Sequence, residues 1–190
     1  MFRLASFLVF FILTGCVQAD DTYLEEVIRS DYNGYSWPVA PDCTQRIVTN
    51  PNFANNVRKR PDGSLRPHLG VDFIPPANDL HVYAAKKGTV VVNSPARGSG
   101  WGNYVVIKHD DGLKTLYAHL VAPSKLRVGS PVSKGDIVGT AGQTETFYVH
   151  AHFEVQLEGS SDDWTKGRLN PTSVAGALDR CRNSAAPGNR

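Results

Sequence analysis

Four of the six histidines in this chain of 190 residues stand in three patterned places. In Arg66-Pro67-His68-Leu69-Gly70-Val71-Asp72-Phe73 an imidazole and a carboxylate lie four positions apart. Pro67 and Gly70 argue against a helix, so the segment reads as a turn entering a strand, where an even separation can aim both side chains to one side. Both groups are good ligands for Zn²⁺, although a nearby His and Asp are more often plain surface residues. In His150-Ala151-His152-Phe153-Glu154, strand alternation turns His150, His152 and Glu154 one way and Ala151, Phe153 and Val155 into the core. Two imidazoles on one strand face can serve a single metal centre, one as ligand and one beside it. Glu154 on the same face has the chemistry of a general base or of a support for a ligand. In Thr115-Leu116-Tyr117-Ala118-His119-Leu120, His119 taken alone reads as a histidine at the edge of the core.

Taken together, the motifs His-x-x-x-Asp, Tyr-x-His-Leu and His-x-His-Phe-Glu resemble, in order and spacing, those of the lysostaphin and LytM-type family of peptidoglycan zinc endopeptidases. The likeness runs from about Arg46 to Pro171 and includes Gly88-Thr89-Val90-Val91, residues 102–107 and residues 132–139. It implies that His68, Asp72 and His152 ligate zinc and that His119 and His150 are the catalytic histidines beside it. It also makes a supporting role for Glu154 the better reading. Two neutral imidazoles and one carboxylate leave a zinc centre at net +1 with a fourth tetrahedral position for water, the layout of a catalytic site. One of the two remaining histidines then moves the proton and the other meets the developing oxyanion. The largest departure from the family is Gln143-Thr144-Glu145-Thr146-Phe147-Tyr148-Val149, where relatives tend to be smaller, and bulk there would narrow the substrate groove.

The elements that must position these groups are short β-prone runs at residues 46–49, 71–74, 82–85, 89–93, 104–108, 114–120, 137–140 and 151–157, punctuated by Gly, Pro and Asp-Gly. Asp111-Gly112 is the strongest hairpin signal and suits a two-residue type I′ turn. Thr22-x-x-Glu25 has the spacing of a capping box, which predicts a short helix over residues 23–30, and Asn170-Pro171 opens a last short helix. The expected fold is mostly β, a small antiparallel sheet or sandwich-like core with short peripheral helices at both ends. The expected organisation is a leader at 1–15, an N-terminal segment at 16–45, the peptidase domain at 46–172 and a helix and tail at 173–190. His109 reads as structural and His81 as a surface residue.

Composition narrows the partners. Lys+Arg number 20 against 18 Asp+Glu, so there is no concentrated positive field for a nucleic acid. Arg58, Lys59, Arg60 and Arg66 crowd the approach to His68; such a run is usually a solvated loop, or here a guide for the carboxylates of peptidoglycan stem and cross-link peptides. Arg3 followed by an apolar run too short to span a bilayer reads as an export leader. It ends in Leu13-Thr14-Gly15-Cys16, which resembles a lipobox and implies a membrane anchor through lipidated Cys16; cleavage after Ala19 is the competing reading. Either leader takes the protein out of the cytoplasm, to the envelope as a periplasm-facing lipoprotein of the outer membrane, or as a soluble periplasmic or secreted protein. Cys43 and Cys181 then form an even pair in an oxidising compartment and read as a disulfide. The alternative to an active enzyme is a non-catalytic member of the same family that binds cell wall or activates a separate amidase. A loop over residues 50–67 covering the site, with Asn50, Asn52, Asn55 or Asn56 on the metal, would give that outcome.

Overall fold

The computed structural model describes residues 34–39, 47–48, 57–59, 63, 65–159 and 167–174. The leader, Cys16, the helix expected over 23–30, Cys43, the four asparagines of residues 50–56, Arg60 and Cys181 lie outside the described residues. The strands are β1 (Ile47–Val48), β2 (Val57–Lys59), β3 (Leu65–Pro67), β4 (Val71–Ile74), β5 (His81–Tyr83), β6 (Gly88–Ser94), β7 (Asn103–Lys108), β8 (Leu113–Leu120), β9 (Pro131–Val132), β10 (Ile137–Thr140), β11 (Ala151–Leu157) and β12 (Arg168–Leu169). One helical turn, α1 (Pro171–Val174), follows Asn170. The fold is mostly β and antiparallel, as the sequence leads one to expect.

Eight strands form one sheet in the order β1-β4-β11-β8-β7-β6-β9, with β12 beside β11. β5 pairs with β10, and β2 with β3 in a hairpin that leads into His68. Alternating apolar residues give the large sheet its core face: Val71 and Phe73 from β4, Phe153 and Val155 from β11, Tyr117 from β8, Val105 and Ile107 from β7 and Val90 from β6 are all buried. Val82 of β5 and Val138 of β10 belong to the same buried cluster, so the small sheet covers this face. The opposite face carries a smaller cluster of Val106, Leu116 and Ala118. In register with Ala118 and Leu116 stand His152 and Glu154, and His152 is opposite Asp72 on its other side. Polar groups therefore collect on the face away from the main core.

The Asp-Gly hairpin differs from expectation. The His109 N–H donates to the Leu113 carbonyl at 2.9 Å, so the connection is the three residues Asp110-Asp111-Gly112. A type I′ turn needs a positive φ at both central positions, and within this loop only Gly112 has one (φ 80°). The Asp111 carboxylate instead accepts the Leu113 N–H at 3.1 Å and the Tyr35 hydroxyl at 2.9 Å, which ties the loop to the N-terminal segment.

His109 is a structural residue in this arrangement. Its Nδ1–H donates to the Lys87 carbonyl at 2.8 Å, and its Nε2 lies 2.9 Å from the Thr115 hydroxyl, which is 2.8 Å from the Tyr117 hydroxyl. Burial holds the His109 pKa below its ordinary 6.5. A base whose folded pKa is depressed leaves stability untouched above its unfolded value and lowers it as pH falls below that value, because the unfolded chain then binds the proton more readily. We expect the wild type to lose stability from this one site as pH falls below about 6.5, with a slope that cannot exceed the one-proton limit of about 1.4 kcal/mol per pH unit. Chemical denaturation of wild type and His109→Gln across pH 5–8 checks it; parallel pH profiles would remove His109 as the cause. His81 is exposed and pairs with Asp79 at 2.8 Å.

Candidate metal centre

Three adjacent strands and the turn before one of them bring the chemistry together. His68 sits between β3 and β4, Asp72 on β4 and His152 on β11, all buried. His68 Nε2 lies 3.1 Å from Asp72 Oδ1 and 3.0 Å from His152 Nδ1, and the last two are 2.8 Å apart. Three donor atoms in so small a triangle cannot satisfy one another. If both nitrogens carry protons toward Asp72 Oδ1, two N–H groups face each other; if one gives up its proton, the carboxylate loses a donor. Aimed at one cation, all three lone pairs are used, and the spacing is close to the about 3.3 Å between ligand atoms of a tetrahedral centre with bonds of about 2.0–2.1 Å. Gly70 keeps the passage clear, since a Cβ there would lie 2.5 Å from His152 Cε1 and 2.6 Å from the Phe153 carbonyl oxygen.

The electrostatics also favour a cation. Burial opposes the charge on Asp72, yet hydrogen bonds to His152 and His68 hold its carboxyl well below the usual range. Burial likewise opposes a charge on His152, and the carboxylates of Asp72 and Glu154 outweigh it, raising the ring to about 9. This pocket draws in positive charge, and its two imidazoles and carboxylate fit Zn²⁺. His152 Nε2 is 3.0 Å from Glu154 Oε1, while Glu154 Oε2 accepts from Gln156 Nε2 at 2.9 Å and from Arg168 Nε at 2.7 Å. Glu154 therefore stands behind His152 and orients the ring. Alternation places Gln156 on the same face and could have pointed to it; Arg168, on a two-residue strand of no apolar pattern, left no signal.

His119 reaches the site through a break in β8. Its φ is 60°, and the pairing of β7 with β8 shifts register between Asn103 and Val105. Regular alternation would send His119 to the core face with Tyr117; the bulge instead sends Leu120 there and turns His119 toward His150 and His152, at ring separations of 4.6 and 6.0 Å. A carbonyl can only accept, so the 2.8 Å contact with the Thr144 carbonyl makes Nδ1 of His119 the N–H nitrogen. The 3.0 Å contact with the Tyr148 carbonyl does the same for Nδ1 of His150. His150 Nε2 is 3.7 Å from Asp72 Oδ1. Burial, then the neighbouring His152, bring the His119 pKa down to about 3, so the ring is neutral at neutral pH. The structure thus brings His68, Asp72, His119, His150 and His152 into one buried cluster. Of the cationic run, Arg58 and Arg66 are backbone partners across the hairpin of β2 and β3.

The comparisons with known proteins agree with this chemistry. The profile of Peptidase family M23 matches residues 66–164. The chain is 37% identical over 155 residues to peptidoglycan DD-endopeptidase ShyA of Vibrio cholerae, covering 77% of this chain and 33% of that protein. It is 35% identical over 111 residues to DD-carboxypeptidase/endopeptidase Mpg of Neisseria meningitidis, covering 58% of this chain and 23% of that one. Among solved structures, a zinc-containing peptidase from Vibrio cholerae superposes with a TM-score of 0.53 at 32% identity, covering 67% of this chain and 37% of the other. The chain therefore spans only about a quarter to a third of the length of these two curated relatives.

Proposed function

The chain belongs to peptidase family M23, and from that membership we propose that it is an exported zinc metalloendopeptidase that hydrolyses peptide cross-links of peptidoglycan. The observation that carries the reading is the triangle of His68 Nε2, Asp72 Oδ1 and His152 Nδ1 beside two further histidines pinned at Nδ1. His68, Asp72 and His152 hold the metal, residues 46–172 are the catalytic domain, and relatives named for DD-endopeptidase activity support the substrate. The lipobox-like Leu13-Thr14-Gly15-Cys16 supports a lipid anchor at the envelope, and Cys43 with Cys181 supports a disulfide.

His68, Asp72 and His152 would hold the zinc, which would supply a Lewis acid for a scissile carbonyl and a water whose pKa is lowered to about 7. The protein's own groups do the rest. His119 and His150 each commit Nδ1–H to a backbone carbonyl, which leaves Nε2 of each as the atom that exchanges protons. A neutral ring of this tautomer accepts a proton at Nε2 and, once charged, donates from the same atom to an oxyanion or a leaving amine. Glu154, clamped by Arg168 and Gln156, fixes the orientation of His152. The Tyr148 ring stacks on His150 at 4.5 Å and 30°, and Phe147 beside it is 96% exposed, which puts an aromatic wall in the segment whose bulk was expected to narrow the groove.

Digestion of purified sacculi with the zinc-loaded protein, followed by mass analysis of the released muropeptides, tests the reading. We expect products cut within cross-link peptides, with glycan strands intact. Binding to sacculi without release of any fragment would instead assign the chain to the non-catalytic, wall-binding class.

A further inference from the structure

Among the described residues, only two other than glycine have a left-handed backbone, His119 (φ 60°) and Glu145 (φ 55°). Such conformations are unfavourable for L-residues and persist where their surroundings enforce them. Both belong to one hydrogen-bonded assembly. Glu145 Oε1 accepts the Gly98 N–H at 2.6 Å, and Oε2 accepts the N–H groups of Gly100 at 2.7 Å and Gly102 at 3.2 Å. The three glycines have φ of 75°, 83° and 61°, and alternate N–H groups of the loop turn toward a single anion. The residue before Glu145 is the one that holds the histidine. The Thr144 carbonyl accepts His119 Nδ1–H at 2.8 Å, while Thr144 Oγ1 accepts the Asn103 N–H at 3.0 Å and donates to the Leu120 carbonyl at 2.9 Å. On the other side of the same glycine loop, the Trp101 carbonyl accepts the His119 N–H at 2.8 Å. His119 is thus gripped at its main chain by the loop and at its ring by Thr144, and the Glu145 carboxylate joins loop to Thr144.

We propose that Glu145 is a positioning residue whose carboxylate clasps the loop Gly98–Gly102 and thereby fixes the Thr144 carbonyl that holds His119 in its Nδ1–H tautomer. The side chain is exposed, so it contributes little to the core, and three charge-assisted bonds to one carboxylate are more than a surface residue needs for its own solvation. The loop and Thr144 are closely apposed: a Cβ on Gly102 would run into Thr144 Oγ1 and the Thr144 carbonyl, so a side chain there would displace the acceptor of His119. With the clasp removed, that carbonyl is no longer held, and the ring exchanges between Nδ1–H and Nε2–H forms. In the second form the atom that must take up a proton already carries one. The effect on turnover rests on the peptidase reading above; the effect on the tautomer does not.

The test uses the full-length zinc-loaded protein with Glu145→Ala, Glu145→Gly and Gly102→Ala. The ¹⁵N shifts of the His119 ring report the tautomer directly, and zinc content and kcat on soluble cross-linked muropeptides are read in parallel. We expect the Nδ1 signal to leave the N–H range in all three, kcat to fall ~10- to 100-fold, the range found for partners behind a catalytic group, KM to change little, and zinc to stay at one per chain. Glu145→Gly removes the backbone strain as well as the carboxylate, so an equal loss there attributes the effect to the clasp. An unchanged Nδ1–H signal in Glu145→Ala and Glu145→Gly would overturn the proposal whatever happens to kcat. Should Glu145→Ala not fold, the isosteric Glu145→Gln decides by the same shift, with a smaller change expected because one oxygen still accepts. A wild type that shows the Nδ1–H tautomer but releases no muropeptide would remove the peptidase reading and leave the clasp standing.

Discussion

We expect His68→Ala and Asp72→Ala each to abolish stoichiometric zinc and to lower hydrolysis of sacculi by about 10³ or more, since a Lewis acid supplies several kcal/mol of transition-state stabilisation and each 1.36 kcal/mol is a factor of ten. Removing either partner breaks the triangle of 2.8–3.1 Å contacts and leaves the other buried groups without their shared cation. A weaker outcome is expected one layer further out. Glu154→Gln and Arg168→Ala keep all three ligand atoms but release the ring of His152, and zinc affinity falls ~10- to 100-fold. Equilibrium dialysis against a metal buffer ranks the series. One zinc per chain in the double variant His68→Ala, His152→Ala would sink the ligand assignment.

A different outcome is expected for His119→Ala and His150→Ala: zinc should remain at one per chain and turnover should drop by ~10² to 10⁴, the contribution of one acid–base or electrostatic group. The distinction follows from which atoms are engaged. In His68 and His152 a ring nitrogen belongs to the donor triangle, whereas His119 and His150 use Nδ1 to fix the ring on a carbonyl. Because burial and the neighbouring His152 depress His119 to about 3, its ring stays neutral at neutral pH. Paired metal analysis and muropeptide release on each variant supply the check. A variant that digests sacculi at the wild-type rate makes that histidine structural.

Much of this was legible in the sequence because it rests on local periodicity. The runs at 71–74, 137–140 and 151–157 coincide with β4, β10 and β11, and alternation along β11 sends His152 and Glu154 to one face and Phe153 to the other. His119 was legible as a residue but not as a geometry. Its delivery to the site depends on a left-handed φ inside an apolar strand, and no propensity marks a histidine for that conformation. The strands β2, β3, β9 and β12 are two or three residues long, too short for a period to register, and they exist because a neighbouring strand offers an edge. The Asp-Gly signal identified the hairpin correctly, yet the turn was decided by what Asp111 binds across the fold, the Tyr35 hydroxyl and the Lys86 ammonium. The clasp at Glu145 was legible only as a departure from the family pattern, since its partners lie 43 to 47 positions away.

The register that sets Asp72 opposite His152 has a consequence for how the chain acquires its metal. The hairpin of β7 and β8 closes over a few residues, but β4 must wait for β11, and the two ligands that face each other are 80 positions apart. Bringing distant segments together is entropically unfavourable and slow relative to local pairing. β4 has no partner on the β11 side until residues 151–157 are in place. With His68, Asp72 and His152 as the proposed ligands, the full ligand set exists only once β11 lies beside β4 as well as β8. On the proposed function, hydrolytic competence would then belong only to molecules whose strand order is already complete, a restriction set by topology alone.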